Sequence, residues 1–172
     1  MKSRFVIISL LINSILFAQE SKTAKVPGQF SFYAELGGPG ILFSANFDSR
    51  FSTSNLGVGG RIGLGFVTDD FGDNNSYQPK SIFTLPFQLN YIFGKPNSVH
   101  SFEVGAGATF VGKKIDIFSY DDTHRQSVFG TASFMYRRQP QDGGFSWRIG
   151  FTPILSGSYI QASGGVSVGY NF

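Results

Sequence analysis

The chain has 172 residues, enough for one domain, and no cysteine, which excludes both a disulfide framework and a thiolate metal site. A formal charge of +3 with 15% charged residues lacks the basic footprint of a nucleic-acid binder. The 22 Gly and 20 Phe, against one Trp and two Met, exclude a disordered chain, which is poor in aromatics, and suit strands with close backbone packing.

Met1-Lys2-Ser3-Arg4, the apolar run Phe5 to Phe17 and small Ala18 have the layout of a secretory signal, with cleavage expected after Ala18. A bilayer-spanning helix needs about 20 apolar residues, and this run is shorter. Residues 1–18 are therefore read as a signal peptide, 19–29 as a polar linker carrying Pro27-Gly28, and 30–172 as the folded body. No later segment approaches a transmembrane helix, so any membrane crossing has to be made by strands.

Eight stretches alternate apolar and small or polar residues: Phe30–Gly37, Ile41–Arg50, Gly57–Val67, Ser81–Phe93, Ser101–Val111, Ser127–Arg138, Phe145–Thr152 and Gly165–Phe172. Most have the length that a tilted strand needs to cross a bilayer, about 9–11 residues. Phe51–Leu56, Gly94–His100 and Gln139–Gly144 are short connections rich in turn residues, whereas Thr68–Lys80, Gly112–Gln126 and Pro153–Gly164 are long. Short and long alternate, as in barrels with turns on one side of a membrane and loops on the other; Gly38-Pro39-Gly40 is the one tight loop on the long side.

The strands have two faces. On the apolar one, aliphatic residues occupy the middle and aromatics the ends. Phe30, Phe47, Phe93, Phe102, Tyr136, Phe145 and Phe172 form one belt, Phe43, Phe66, Phe83, Phe110 and Phe151 the other, and Trp147 and Tyr170 lie on the same face. Two aromatic belts around an aliphatic band make an interfacial girdle. The opposite face carries Tyr33, Glu35, Asn46, Asp48, Arg50, Arg61, Gln88, Asn90, Glu103 and Arg148, interleaved with glycines that make room for the arginines. Eight strands enclose only enough space for side chains to fill. The expected fold is therefore an all-β, eight-stranded antiparallel up-and-down transmembrane β-barrel, its polar interior filled by ion pairs. Pro86 inside the fourth stretch calls for a bulge, and the sixth stretch is ambiguous, with Phe134 and Tyr136 on one face and Phe129 and Met135 on the other.

Several segments carry a resemblance. Tyr33-Ala34-Glu35-Leu36-Gly37-Gly38 leading to Phe43-Ser44-Ala45-Asn46-Phe47-Asp48 is similar to the opening hairpin of small outer-membrane barrels common in Bacteroidetes. Leu85 to Gly94, Phe102 to Thr109, Tyr136 to Pro140, Arg148 to Pro153 and Val168 to Phe172 continue the likeness over nearly all of the body. The architecture resembles the OmpX and OmpA-barrel class of porin-like proteins. The resemblance implies a fold and an outer-membrane location; it supplies no activity and no functional residues. A proline at the position of Pro86 looks usual for that group.

Motifs that could carry chemistry are weak. Gly57-Val58-Gly59-Gly60 and Gly105-Ala106-Gly107 lack the following helix of a phosphate loop. Asp69-Asp70-Phe71-Gly72-Asp73-Asn74-Asn75 departs from calcium-loop spacing, and Asp121-Asp122 with His124 is no better defined, so no metal or other cofactor is expected. His100 falls at the periplasmic end and no strand fixes His124 beside Ser119 and Asp122, so no catalysis is expected. Lys80, Lys113, Lys114 and Arg125 gather near the outer rim, where they could meet lipopolysaccharide phosphates. The terminal strand, ending on Phe172, is the one on which a barrel closes and would be offered to a barrel-assembly machinery. The leading reading is an integral outer-membrane barrel with a structural or surface-interacting role. A narrow pore or small-solute transporter, a soluble lipocalin-like binding barrel and an outer-leaflet lipid-modifying enzyme are its rivals.

Overall fold

The computed structural model describes residues 28–69, 80–115, 125–157 and 159–172. The expected signal segment, most of the expected linker and the acidic, His124 and Ser158 parts of the loops lie outside the described residues.

Period-2 patterning gives the elements. In chain order the strands are β1 (Phe30–Gly37), β2 (Phe43–Arg50), β3 (Gly57–Asp69), β4 (Lys80–Gly94), β5 (His100–Ile115), β6 (Gln126–Arg138), β7 (Gly144–Phe151), β8 (Ile154–Ser156), β9 (Tyr159–Gln161) and β10 (Gly164–Asn171). Each pairs antiparallel with its neighbours; β10 returns to β1 and β5 closes onto β6. The result is a closed eight-stranded barrel whose last hairpin runs out along β7 and β8 and back along β9 and β10.

That hairpin revises the expected loop Pro153–Gly164. Gly164 pairs with Phe151 and Gln161 with Ile154 in one unbroken register, bridged by a bond from the Thr152 N–H to the Ser163 carbonyl at 2.8 Å. Thus β7 and β8 are one strand interrupted at Pro153, which lacks an N–H to donate, and β9 and β10 are its partner.

Paired residues can be followed around the barrel from Ser101 through Arg137, Arg148, Ser167, Glu35, Ser44, Gly65 and Thr84. The path returns to the same strand at Val111, a stagger of ten residues. Such a stagger accompanies strands tilted by about 35–45°.

Pro86 is accommodated without the expected bulge. Ile62 pairs with Phe87 and Gly65 with Thr84 in one register, so no residue is inserted; the ladder lapses opposite Leu85 and Pro86. The register shift lies elsewhere, between Phe110 and Ile115 against β6.

The β1–β2 connection also differs from a plain tight loop. Gly38–Gly40 forms a 3-10 turn with all three residues buried, folded into the barrel mouth. Two threonines hold it: Thr109 Oγ1 donates to the Pro39 carbonyl at 2.5 Å, and Thr84 Oγ1 to the Gly40 carbonyl at 3.1 Å. Above it, Ile82, Val111, Ile115, Phe129 and Ile154 pack as an apolar layer, with Ile41 and Val67 against them. The interior is therefore polar toward the short-turn end and apolar at the opposite, long-loop end.

Candidate functional site

Among the described residues, the lumen is where charge is concentrated away from solvent. Strand alternation puts Glu35 on β1, Asp48 and Arg50 on β2, Arg61 on β3, Glu103 on β5, Arg137 on β6 and Arg148 on β7, all facing inward and buried. Asp48 is the hub. It is paired with Arg50, with Arg137 at 3.1 Å and with Arg148 at 3.3 Å. Glu103 accepts from Arg137 at 2.6 Å and lies 3.8 Å from Arg148. Asn90 Nδ2 donates to both carboxylates, at 3.3 and 3.4 Å, while its carbonyl accepts from Arg50 at 2.5 Å.

A second group surrounds Arg61. It donates to the Tyr33 hydroxyl at 2.9 Å and to Gln88 Oε1 at 2.6 Å, and sits 3.5 Å from Glu35. Gln88 passes the chain on to Thr131 at 2.8 Å and accepts from Ser133 at 3.1 Å. The Arg148 guanidinium lies over the Tyr33 ring, 3.8 Å from its centroid, which ties the two groups together. At the short-turn end Arg137 donates to Gln139, whose amide donates to the Gly28 carbonyl at 2.8 Å.

Glycine makes this packing possible. A Cβ at Gly59 would fall on the Arg50 guanidinium, and one at Gly169 on Tyr33. Every interior residue expected from the sequence, Tyr33, Glu35, Asn46, Asp48, Arg50, Arg61, Gln88, Asn90, Glu103 and Arg148, is buried in the lumen.

Arg137 was not among them. Its strand is the ambiguous sixth, and the structure settles the parity: Phe129 and Met135 point inward, Phe134 and Tyr136 outward. Thr131 and Ser133, alternating with Ala132 and Phe134, carried the correct signal. With Arg137 included, the described interior holds four arginines against Glu35, Asp48 and Glu103.

The exterior is apolar around the barrel. Phe47, Phe66, Phe83, Phe93, Phe102, Phe110, Phe145, Phe151, Tyr170 and Phe172 are exposed, and Phe30, Phe43 and Trp147 partly so. Neighbouring rings pair across strands, as Phe43 with Phe66 at 5.4 Å, Phe93 with Phe102 at 6.0 Å and Tyr136 with Trp147 at 5.4 Å. His100 joins the lower belt, its Nδ1 2.5 Å from the Tyr136 hydroxyl. At the long-loop rim Lys80 starts β4, exposed Lys113 and Lys114 lie near the end of β5, and exposed Arg125 precedes β6, so the four stand at the ends of three adjacent strands.

No protein-family model and no curated protein matches this chain. Among solved structures it is similar to the crystal structure of the N-terminal β-barrel domain of Pseudomonas aeruginosa OprF, with a TM-score of 0.55 and 15% identity. The match covers 85% of this chain and 99% of that one, and at this identity the likeness is one of fold.

Proposed function

We propose that this chain is an integral outer-membrane barrel, closed to solutes and without catalytic activity, that serves the envelope structurally and through its outer rim. The observation that carries the reading is the inversion of ordinary burial. Arg61, Arg137 and Arg148 are each 1% exposed, while Phe83, Phe102, Phe134 and Phe145 are each more than half exposed. A soluble lipocalin-like barrel would place these faces the other way round. A full belt of exposed phenylalanine has a favourable environment only in hydrocarbon. The likeness to the OprF barrel domain and the resemblance to small outer-membrane barrels support the same location.

Closure follows from the lumen. The ion-paired group and the buried Gly38–Gly40 turn lie in series across it, and cross-linked charges leave little space for a continuous water path. The Lys80, Lys113, Lys114 and Arg125 group is proposed to meet lipopolysaccharide phosphates, and the β10 strand to present the chain for assembly. Two measurements test the reading. Membrane fractionation with boiled and unboiled gel mobility is expected to give a heat-modifiable membrane species. Planar-bilayer recording of that species is expected to give no discrete steps; regular unitary conductance would favour the pore reading instead.

A further inference from the structure

The apolar exterior is not evenly filled. On β4, β5 and β6 the outward residues Leu89, Ala106 and Ala132 pair in one cross-strand row. The next outward row toward the short turns is Tyr91, Val104 and Phe134. The two alanines are short beside these neighbours, and an open groove of about 480 Å³ lies over them, walled by Leu89, Tyr91, Val104 and Phe134. A second groove, of about 420 Å³, shares Val104 and Phe134 and continues to Phe93, Phe102, Tyr136 and Ile149. Together they form one apolar trough on the outside of the barrel, from the middle of the girdle to its belt at the short-turn end. Ring contacts hold its lower wall in place, Phe93 with Phe102 at 6.0 Å and Phe102 with Tyr136 at 5.7 Å.

The foot of this trough is polar and basic. Arg137 faces the lumen, so Arg138 falls on the outward face, where it pairs with His100 on β5 and Trp147 on β7. Among the described residues no carboxylate pairs with the Arg138 guanidinium, Asp142 in the following turn included. His100 is exposed, and its Nδ1 lies 2.5 Å from the Tyr136 hydroxyl, which leaves Nε2 for another partner. Depth relates the two features. From Arg138 to Ala132 the chain rises along β6 by ~20 Å at ~3.3 Å per residue, or ~15 Å of depth at a tilt of about 40°. That is half of a hydrocarbon core about 30 Å thick, the depth of one leaflet.

We propose that this face holds one glycerophospholipid of the leaflet at the short-turn end, its phosphate on Arg138 and His100 and one acyl chain in the trough. An unpaired guanidinium at the edge of hydrocarbon needs an anion, and its planar fork matches two phosphate oxygens. Above it the trough offers a chain contact on three sides over the depth of its own leaflet, ending at the alanine floor. A protein partner would have to carry a carboxylate to Arg138 at headgroup level, whereas the leaflet already presents phosphate there. The inference rests on the outer-membrane reading above.

The test uses the whole folded protein, delipidated in detergent and titrated with phosphatidylglycerol, counting the lipids retained by native mass spectrometry. One lipid per barrel is expected to be held by the native chain. It should also be held by Ala45→Phe, the same change on the opposite wall. Ala132→Phe, which fills the trough, and Arg138→Gln, which removes the phosphate partner, should each weaken retention by about tenfold or more. Graded uptake of several lipids, unchanged in both variants, would show an unselective annulus and overturn the proposal. So would loss in one variant alone, since the site would then take only a chain or only a phosphate. Should Ala132→Phe fail to fold, Ala106→Leu fills the same floor. Gel mobility of the same samples separates the two readings. A native chain without a heat-modifiable form counts against the outer-membrane reading, and one that has it but retains no lipid counts against this site alone.

Discussion

At the scale of the residue, Asp48 bears the heaviest electrostatic duty in the lumen. Three guanidinium groups converge on one carboxylate, two of them also shared with Glu103. Removing one partner of a buried charge group strands the others in a low-dielectric space. Asp48→Asn is therefore expected to destabilise the barrel by about 3–5 kcal/mol, read from urea unfolding midpoints in lipid vesicles. In an Arg137→Met, Arg148→Met background the same change should cost much less, because fewer cations are left unpaired. Equal costs in both backgrounds would mean that Asp48 does not act through Arg137 and Arg148. This hub was legible in the sequence only in part. Asp48 and Arg148 fall on a polar face that alternates without error, but Arg137 lies on a strand where Phe129 and Met135 share the inward side with Thr131 and Ser133. Parity is read from side-chain polarity, and an interior that turns apolar at one end removes that signal where β6 enters it.

At the scale of the element, the glycines set which strands can approach. Gly169 on β10 faces Tyr33 on β1, the seam on which the barrel closes. A Cβ there would meet Tyr33 and the Phe32 carbonyl, neither of which can shift without moving β1. Gly169→Val is expected to abolish the heat-modifiable folded form. Gly112→Ala, whose added methyl group would find only ordinary contact at 3.6 Å, should leave it intact. If both variants fold alike, the seam tolerates more than close packing allows. The strand boundaries themselves were readable from period-2 alternation almost throughout. The exceptions have local causes. Pro153 hides a continuing strand, since a proline followed by a polar stretch looks like a loop, yet the register runs on through it. Pro86 looks like a bulge, yet the ladder lapses for two residues without losing register. The inward fold of Gly38–Gly40 had no sequence signal beyond its brevity, because its two anchors, Thr84 and Thr109, lie on distant strands.

At the scale of the whole molecule, the proposed reading has the lumen sealed twice, by unlike means. Charge pairing around Asp48 and Glu103 fills the short-turn part, and the Gly38–Gly40 turn beneath an apolar layer fills the long-loop part. Polar gates fail by hydration once their charges are gone, whereas an apolar constriction excludes water and ions by dewetting. Two such seals in series predict a non-additive result. Replacing Asp48, Glu103, Arg137 and Arg148 together by Ser removes two charges of each sign, so no new net charge is buried, and it opens the short-turn part. That variant is expected to remain silent in planar bilayers, because the outer seal is untouched. Excising Gly38, Pro39 and Gly40 with Phe129→Ser opens the outer part and should also be silent, because the ion pairs remain. Only the combined variant is expected to conduct in discrete steps. Conductance in the four-serine variant alone would show that the apolar layer is no barrier, and that the ion pairs by themselves keep this barrel shut.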